Sequence, residues 1–204
     1  METNWRDQFL TLSWPQFCAH AFTLSQQIYA SKRRLDLIVA IARGGLTLSQ
    51  LLFDSLQLPI ATFTIQSYKD LQQQSLPQIT FGLGTTTLKD KHVLLVDDVC
   101  DTGKTFERAL VYVTELGAQK GQIATAALHY KPHASYRPDF FVTETDKWVI
   151  YPYEVRETIT QLTKLWKEEI SLQEMQDRFT VLGFQEDQIR SFMTSGTDKT
   201  TVSK

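Results

Sequence analysis

Val93-Leu94-Leu95-Val96-Asp97-Asp98-Val99-Cys100-Asp101-Thr102-Gly103-Lys104-Thr105 is the stretch on which the reading of the chain turns. Its first four residues are β-prone and apolar, too short a run for a helix, and predict a strand buried on both faces of a parallel sheet. Two carboxylates follow at once, then a third, then Thr-Gly-Lys-Thr, and residues 106–117 carry a helical pattern. In an open α/β sheet, ligands bind beyond the carboxyl ends of the strands, where this turn lies. Backbone N–H groups of residues 102–105, two threonine hydroxyls and the positive end of the new helix make a cradle for a phosphate. The acids beside it can accept hydrogen bonds from ribose hydroxyls or face a metal, so a phosphorylated sugar suits the loop.

Other readings of the same residues fit less well. Gly103-Lys104-Thr105 ends like a Walker P-loop, but the first glycine of that motif would fall at Asp98. No Gly-x-Gly-x-x-Gly follows a strand, which argues against a dinucleotide fingerprint. A plain strand-to-helix turn capped by acids needs one aspartate, not three followed by Thr-Gly-Lys-Thr.

A second apolar run at 37–42 also ends in chemistry, with Arg43-Gly44-Gly45 at its carboxyl end. Glycines let the backbone approach an anion closely, and the arginine fork binds phosphate bidentately. Alone, Arg-Gly-Gly is more often a tight turn. Helix 46–56, strand 60–65, strand 123–128 and a short strand at 140–142 complete an α/β alternation. Ser13-Trp14-Pro15-Gln16 opens an earlier helix as a capping box, with Phe17, Ala21, Leu24 and Ile28 on its inner face. The polar stretch from Lys69 to Asp90 is long for a compact domain and is expected to be functional or an insertion; 78–81 and 85–88 within it can pair as a β-ribbon. Past residue 154, an amphipathic helix over 156–170 precedes a capping box at Ser171-Leu172-Gln173-Glu174 and a further helix over 185–193.

With 204 residues, 42% of them hydrophobic, the chain can bury a full core as one domain with appendages. Its 21 basic and 23 acidic residues leave a net charge of −2 and no sign of a nucleic-acid surface. Cys18 and Cys100 do not make a disulfide framework. No apolar run reaches membrane length and no signal peptide is legible, so a cytoplasmic protein without membrane or nucleic-acid partners is expected.

Val-Asp-Asp-x-x-Asp-Thr-Gly-Lys-Thr resembles the PRPP-binding signature of the type I phosphoribosyltransferases in their 6-oxopurine salvage form. The resemblance covers roughly residues 13–154. It implies a doubly wound α/β fold with a mostly parallel five-stranded sheet and a small hood. It divides the chain into a phosphoribosyltransferase domain at 1–154 with a flexible loop at about 67–90, a C-terminal helical extension at 155–193 and a disordered tail at 194–204. The family's pyrophosphate loop maps to Arg43 and Gly44, with a cis peptide expected at Ala42-Arg43, and its flexible catalytic loop maps to Ser67 and Tyr68. By the same resemblance Asp97 and Asp98 serve the ribose diol and Mg²⁺, with Asp98 on the metal side. Residues Thr102, Gly103, Lys104 and Thr105 hold the 5′-phosphate, and Asp101 is the candidate general base at the purine N7. Lys131 matches the lysine that meets the purine 6-oxo group, Trp148 the aromatic that stacks on the base, and Val149 the backbone at the ring edge. A cation bonded to O6 rejects adenine, whose N6 offers a donor where an acceptor is required.

The implied reaction takes a 6-oxopurine and PRPP to the nucleoside 5′-monophosphate and pyrophosphate, with Mg²⁺ as cofactor and a homo-oligomer (dimer or tetramer) as the assembly. A PRPP- or nucleotide-sensing regulator on the same fold, or an enzyme for another base, are the alternatives. Two departures stand out. The loop has only Lys69 and Lys89, and no arginine, before Asp90, and Cys100 replaces an aliphatic residue inside the signature, as packing or as a reactive thiol.

Overall fold

The computed structural model describes residues 4–66, 77–84 and 87–194. In chain order the elements are β1 (Phe9–Thr11), α1 (Trp14–Ala30), β2 (Leu37–Ala42), α2 (Gly44–Leu56), β3 (Ile60–Gln66), β4 (Gln78–Phe81), β5 (Val93–Val96) and β6 (Val99–Cys100). They continue with α3 (Lys104–Glu115), β7 (Ile123–Tyr130), β8 (Phe140–Glu144), β9 (Trp148–Ile150), α4 (Val155–Trp166), α5 (Leu172–Val181) and α6 (Glu186–Thr194). Contacts gather these into two compact units, Cys18–Asp146 in one and Met1–Phe17 with Lys147–Lys204 in the other.

The Cys18–Asp146 unit holds a sheet ordered β4-β3-β2-β5-β7, with β6 and β8 also paired to β7. Every pairing is parallel except β3 with β4. Five expected strands are present as β2, β3, β5, β7 and β8, but the sheet has seven. β6 is two residues long, too short to leave a pattern, and continues the line of β5 after the break at Asp97 and Asp98. β4 pairs antiparallel with β3, and the expected ribbon of 78–81 with 85–88 falls partly outside the described residues, at 85 and 86. The Leu88 amide donates to the Leu116 carbonyl at 2.7 Å.

Central strands β2 and β5 are buried along most of their length because both faces of a parallel sheet are covered. Phe63, Leu88, Phe106, Ala109, Val113 and Tyr130 join them in one apolar cluster. Burying each such aliphatic or aromatic side chain stabilises the fold by about 1.5–3 kcal/mol.

At the start of α1, the Ser13 amide donates to Gln16 Oε1 at 2.9 Å and the Gln16 amide to Ser13 Oγ at 3.4 Å, the reciprocal pair of a capping box. Phe17, Ala21, Leu24 and Ile28 are buried as their spacing predicts. Ser13→Ala is expected to cost about 1 kcal/mol, lowering Tm by about 2–4 °C on calorimetric melting.

In the other unit, β1 and β9 pair in parallel, Phe9 opposite Trp148. Phe9 and Ile150 pack with Ile159, Leu162, Trp166, Phe179 and Ile189 of the C-terminal helices. Arg178 lies 4.9 Å from the Trp5 ring and 5.3 Å from the Trp166 ring, and ion-pairs with Glu174 at 2.7 Å. The Ser171 hydroxyl caps α5 by accepting the Glu174 amide at 3.2 Å. The boundary expected at residue 154 thus falls inside this unit, and residues 195–204 lie outside the described residues. Among the described residues no helix is long and apolar enough to cross a membrane.

Candidate active site

Where β5 stops, Asp97 and Asp98 are both buried, at 9% and 6% exposure. The Asp98 amide donates to Asp97 Oδ1 at 3.0 Å, and the Asp98 carbonyl accepts both the Leu128 and His129 amides, at 2.9 and 3.1 Å. That doubled acceptance breaks the β5 ladder and starts β6. Burial first, then the adjacent Asp98 charge, raises the Asp97 pKa well above the usual carboxylate range.

The Arg43 loop is pressed onto this acid pair, which explains its two glycines. A Cβ on Gly44 would stand 2.5 Å from the Asp98 carboxyl, and one on Gly45 would run into the Val96 carbonyl. The Gly45 amide donates to Asp97. The Ala42–Arg43 peptide is cis, as the resemblance implies. Arg43 and Gly44 are therefore gathered beside Asp97 and Asp98.

After β6, Asp101, Thr102 and Lys104 are exposed and Thr105 half-buried. Gly103 caps α3 with φ +87°, and a Cβ there would lie 2.5 Å from the Tyr136 nitrogen and 2.8 Å from Ser135 Oγ. Asp97, Asp98, Asp101 and residues 102–105 line one cavity of about 360 Å³. Its size is that of a small-ligand site, and α3 opens on it with its amides. The loop is laced to a second one from β7: the Lys131 amide donates to the Cys100 carbonyl at 2.9 Å, and the Ser135 amide and hydroxyl both donate to the Thr102 carbonyl at 3.0 Å. Ser135 also donates to Glu107 Oε1 at 2.8 Å, fixing the first turn of α3.

Lys131 is buried at the root of that second loop. Desolvation lowers its pKa, opposed by the negative charges of Asp101 and Asp146. His133 stands on the same loop, its Nε2 3.7 Å from Asp101 Oδ1 and its Nδ1 3.9 Å from Asp146 Oδ1. Sequence reasoning missed His133, Asp146, Ser135 and Glu107. The signal available was Lys131-Pro132-His133, whose proline marks a turn.

Cys100 is packing. Its thiol is buried against the Tyr136 carbonyl at 3.2 Å, and burial, followed by Asp97, Asp101 and Glu107, pushes its pKa up to about 12. Trp148 and Val149 stand on β9 in the other unit, Trp148 exposed with its ring 6.2 Å from Phe9 and Val149 buried. Ser67 and Tyr68 lie outside the described residues. Among the described residues no three His, Cys, Asp or Glu side chains cluster as metal ligands.

A loop at a helix start, beside paired acids at the carboxyl end of a parallel sheet, sits where open α/β folds bind their ligands. Comparison with known proteins carries this further. The family model described as phosphoribosyl transferase domain matches residues 11–158. A purine phosphoribosyltransferase from Pyrococcus horikoshii Ot3 is 36% identical, with TM-score 0.64 over 72% of this chain and 94% of that one. A hypothetical protein from Neisseria gonorrhoeae, solved with bound ppGpp, superposes with TM-score 0.63 at 23% identity, covering 72% of this chain and 90% of that one. A Helicobacter pylori xanthine-guanine-hypoxanthine phosphoribosyltransferase does so with TM-score 0.60 at 22% identity, covering 74% and 96%. The last two likenesses concern the fold. The chain belongs to the phosphoribosyltransferase family and is an enzyme of that kind.

Proposed function

We propose that the enzyme transfers the phosphoribosyl group of PRPP to a 6-oxopurine, releasing the nucleoside 5′-monophosphate and pyrophosphate. One observation carries this reading: Asp101 and the buried Lys131 stand on two loops laced together beside the cavity lined by residues 102–105. The 36% identity to a purine phosphoribosyltransferase supports the same acceptor class.

In this reading residues 102–105 hold the 5′-phosphate with backbone amides and hydroxyls, and Arg43 and Gly44 receive the pyrophosphate. Asp97 accepts hydrogen bonds from the ribose diol. As N9 of the base approaches C1′, the bond to pyrophosphate breaks with its electron pair and the sugar takes on oxocarbenium character. Asp101 accepts the N7 proton, and Lys131 donates to O6, which selects oxo over amino purines.

A hard divalent cation that keeps its waters and takes one or two carboxylates plus substrate oxygens suits this acid pair, so Asp98 would hold Mg²⁺. When bound, the ion supplies charge neutralisation at the leaving pyrophosphate. A cytoplasmic homo-oligomer remains the proposed setting.

This division of labour has a test. Nucleoside monophosphate carries only the phosphate assigned to residues 102–105, so its calorimetric affinity is expected to change little between Mg²⁺ and chelator. PRPP also carries the pyrophosphate, so its affinity is expected to fall sharply in chelator. Equal metal dependence for both ligands contradicts the assignment.

A further inference from the structure

We infer that His133 is a positioning residue for Asp101, holding the carboxylate when its ring is protonated and releasing it toward the purine when the ring is neutral. The inference rests on the reading of Asp101 as the base at N7.

The backbone makes the two side chains face each other. Cys100 is tied to Lys131 on one side of Asp101, and Thr102 to Ser135 on the other, by the hydrogen bonds already described. Between those ties the Ala134 amide donates to the Lys131 carbonyl at 3.0 Å, closing a turn with Pro132 and His133 at its centre. Proline at the first central position fixes its own φ, so the Cα of His133 has little freedom. On the far side, the Thr145 amide donates to the Tyr130 carbonyl at 3.0 Å and brings Asp146 to the other ring nitrogen.

The charged groups facing the ring are thus Asp101 from the β6–α3 loop and Asp146 from the end of β8, with Lys131 on its own turn. Both facing carboxylates accept hydrogen bonds only. A protonated imidazole offers an N–H to each of them. A neutral one has a single N–H for two acceptors and must leave one free. At 3.7 and 3.9 Å the contacts are ionic rather than direct hydrogen bonds, and they tighten only when ring and carboxylates are oppositely charged. Only the protonated ring carries a charge, so the hold on Asp101 follows the charge state of His133. All three side chains are more than half exposed, at 59%, 62% and 78% for His133, Asp101 and Asp146, so the effect is that of a solvent-screened pair.

The test is the pH profile of kcat for phosphoribosyl transfer at saturating PRPP and base, for the wild type, His133→Gln, His133→Arg and Asp101→Asn, each melted to confirm that it is folded. Wild-type kcat is expected to rise about two- to fivefold from acid to alkaline pH, the span of an exposed ion pair. His133→Gln, neutral throughout, is expected to stay at the upper plateau, and His133→Arg, cationic throughout, at the lower one, with the PRPP KM of both unchanged. Superimposable profiles for wild type and both His133 variants overturn the inference while leaving Asp101 as the base. Retention of wild-type kcat by Asp101→Asn overturns the reading of Asp101 itself, and the inference with it.

Discussion

Asp101→Asn is expected to lower kcat by about 10²–10⁴-fold, the span typical of losing a positioned acid–base group, while PRPP affinity stays close to wild type. The asymmetry follows from placement. Asp101 is exposed at the mouth of the cavity, three residues beyond the buried acid pair and one before the phosphate loop. Asparagine keeps the size and shape of the side chain and loses its capacity to take the proposed proton from N7. The groups proposed to hold PRPP, residues 102–105 with Arg43 and Gly44, are expected to stay in place because the laces to Lys131 and Ser135 run through backbone carbonyls that this substitution does not touch. Single-turnover rates with calorimetric PRPP titrations separate the two effects. An unchanged kcat removes Asp101 from the chemistry; a parallel loss of PRPP binding makes it part of the phosphate site instead.

Gly103→Val is expected to abolish nucleoside monophosphate binding and to lower stability together. The backbone at Gly103 is left-handed, with φ +87°, which a β-branched residue adopts only at a cost of about 1–3 kcal/mol. Its Cβ would also stand 2.5 Å from the Tyr136 nitrogen, a backbone atom held in place by the loop itself. Relief requires separating the phosphate loop from the 131–136 loop, breaking the Thr102–Ser135 bonds that shape the cradle. Calorimetric melting is expected to show Tm lowered by several degrees, at about 2–4 °C per kcal/mol for a chain of this size. Monophosphate affinity is expected to fall more than tenfold in the protein that remains folded. Wild-type values of both would mean that neither φ nor the close approach matters.

Much of this arrangement was legible in the sequence, for identifiable reasons. Runs such as Val93-Leu94-Leu95-Val96 need both faces covered, and that requirement alone places them at the centre of a parallel sheet. The caps at Ser13 and Ser171 are local chemistry: the box at Ser13 forms with both its bonds, and Ser171 accepts the Glu174 amide. Arg43-Gly44-Gly45 could be read as a close backbone approach to an anion, whereas the Asp98 carboxyl and Val96 carbonyl that press on these glycines were not foreseen.

What escaped is non-local or too short to repeat. β6 is two residues, and β1 and β9 are three each, with partners far away in the chain, so no periodicity announces them. The antiparallel pairing of β4 with β3 is set by sheet geometry and not by the composition of β4. His133 and Asp146 are surface side chains whose importance arises only from the laces that bring them to Asp101. Cys100 was ambiguous between packing and reactivity until its burial and three neighbouring acids decided for packing.

The central claim is tested most directly by incubating the protein with PRPP and Mg²⁺ and, separately, hypoxanthine, guanine, xanthine, adenine and uracil, measuring pyrophosphate and nucleoside 5′-monophosphate together. The account predicts equal amounts of both products with at least one of the three oxopurines and none with adenine or uracil. Transfer to adenine or uracil in preference to every oxopurine, or no transfer to any base, would contradict it.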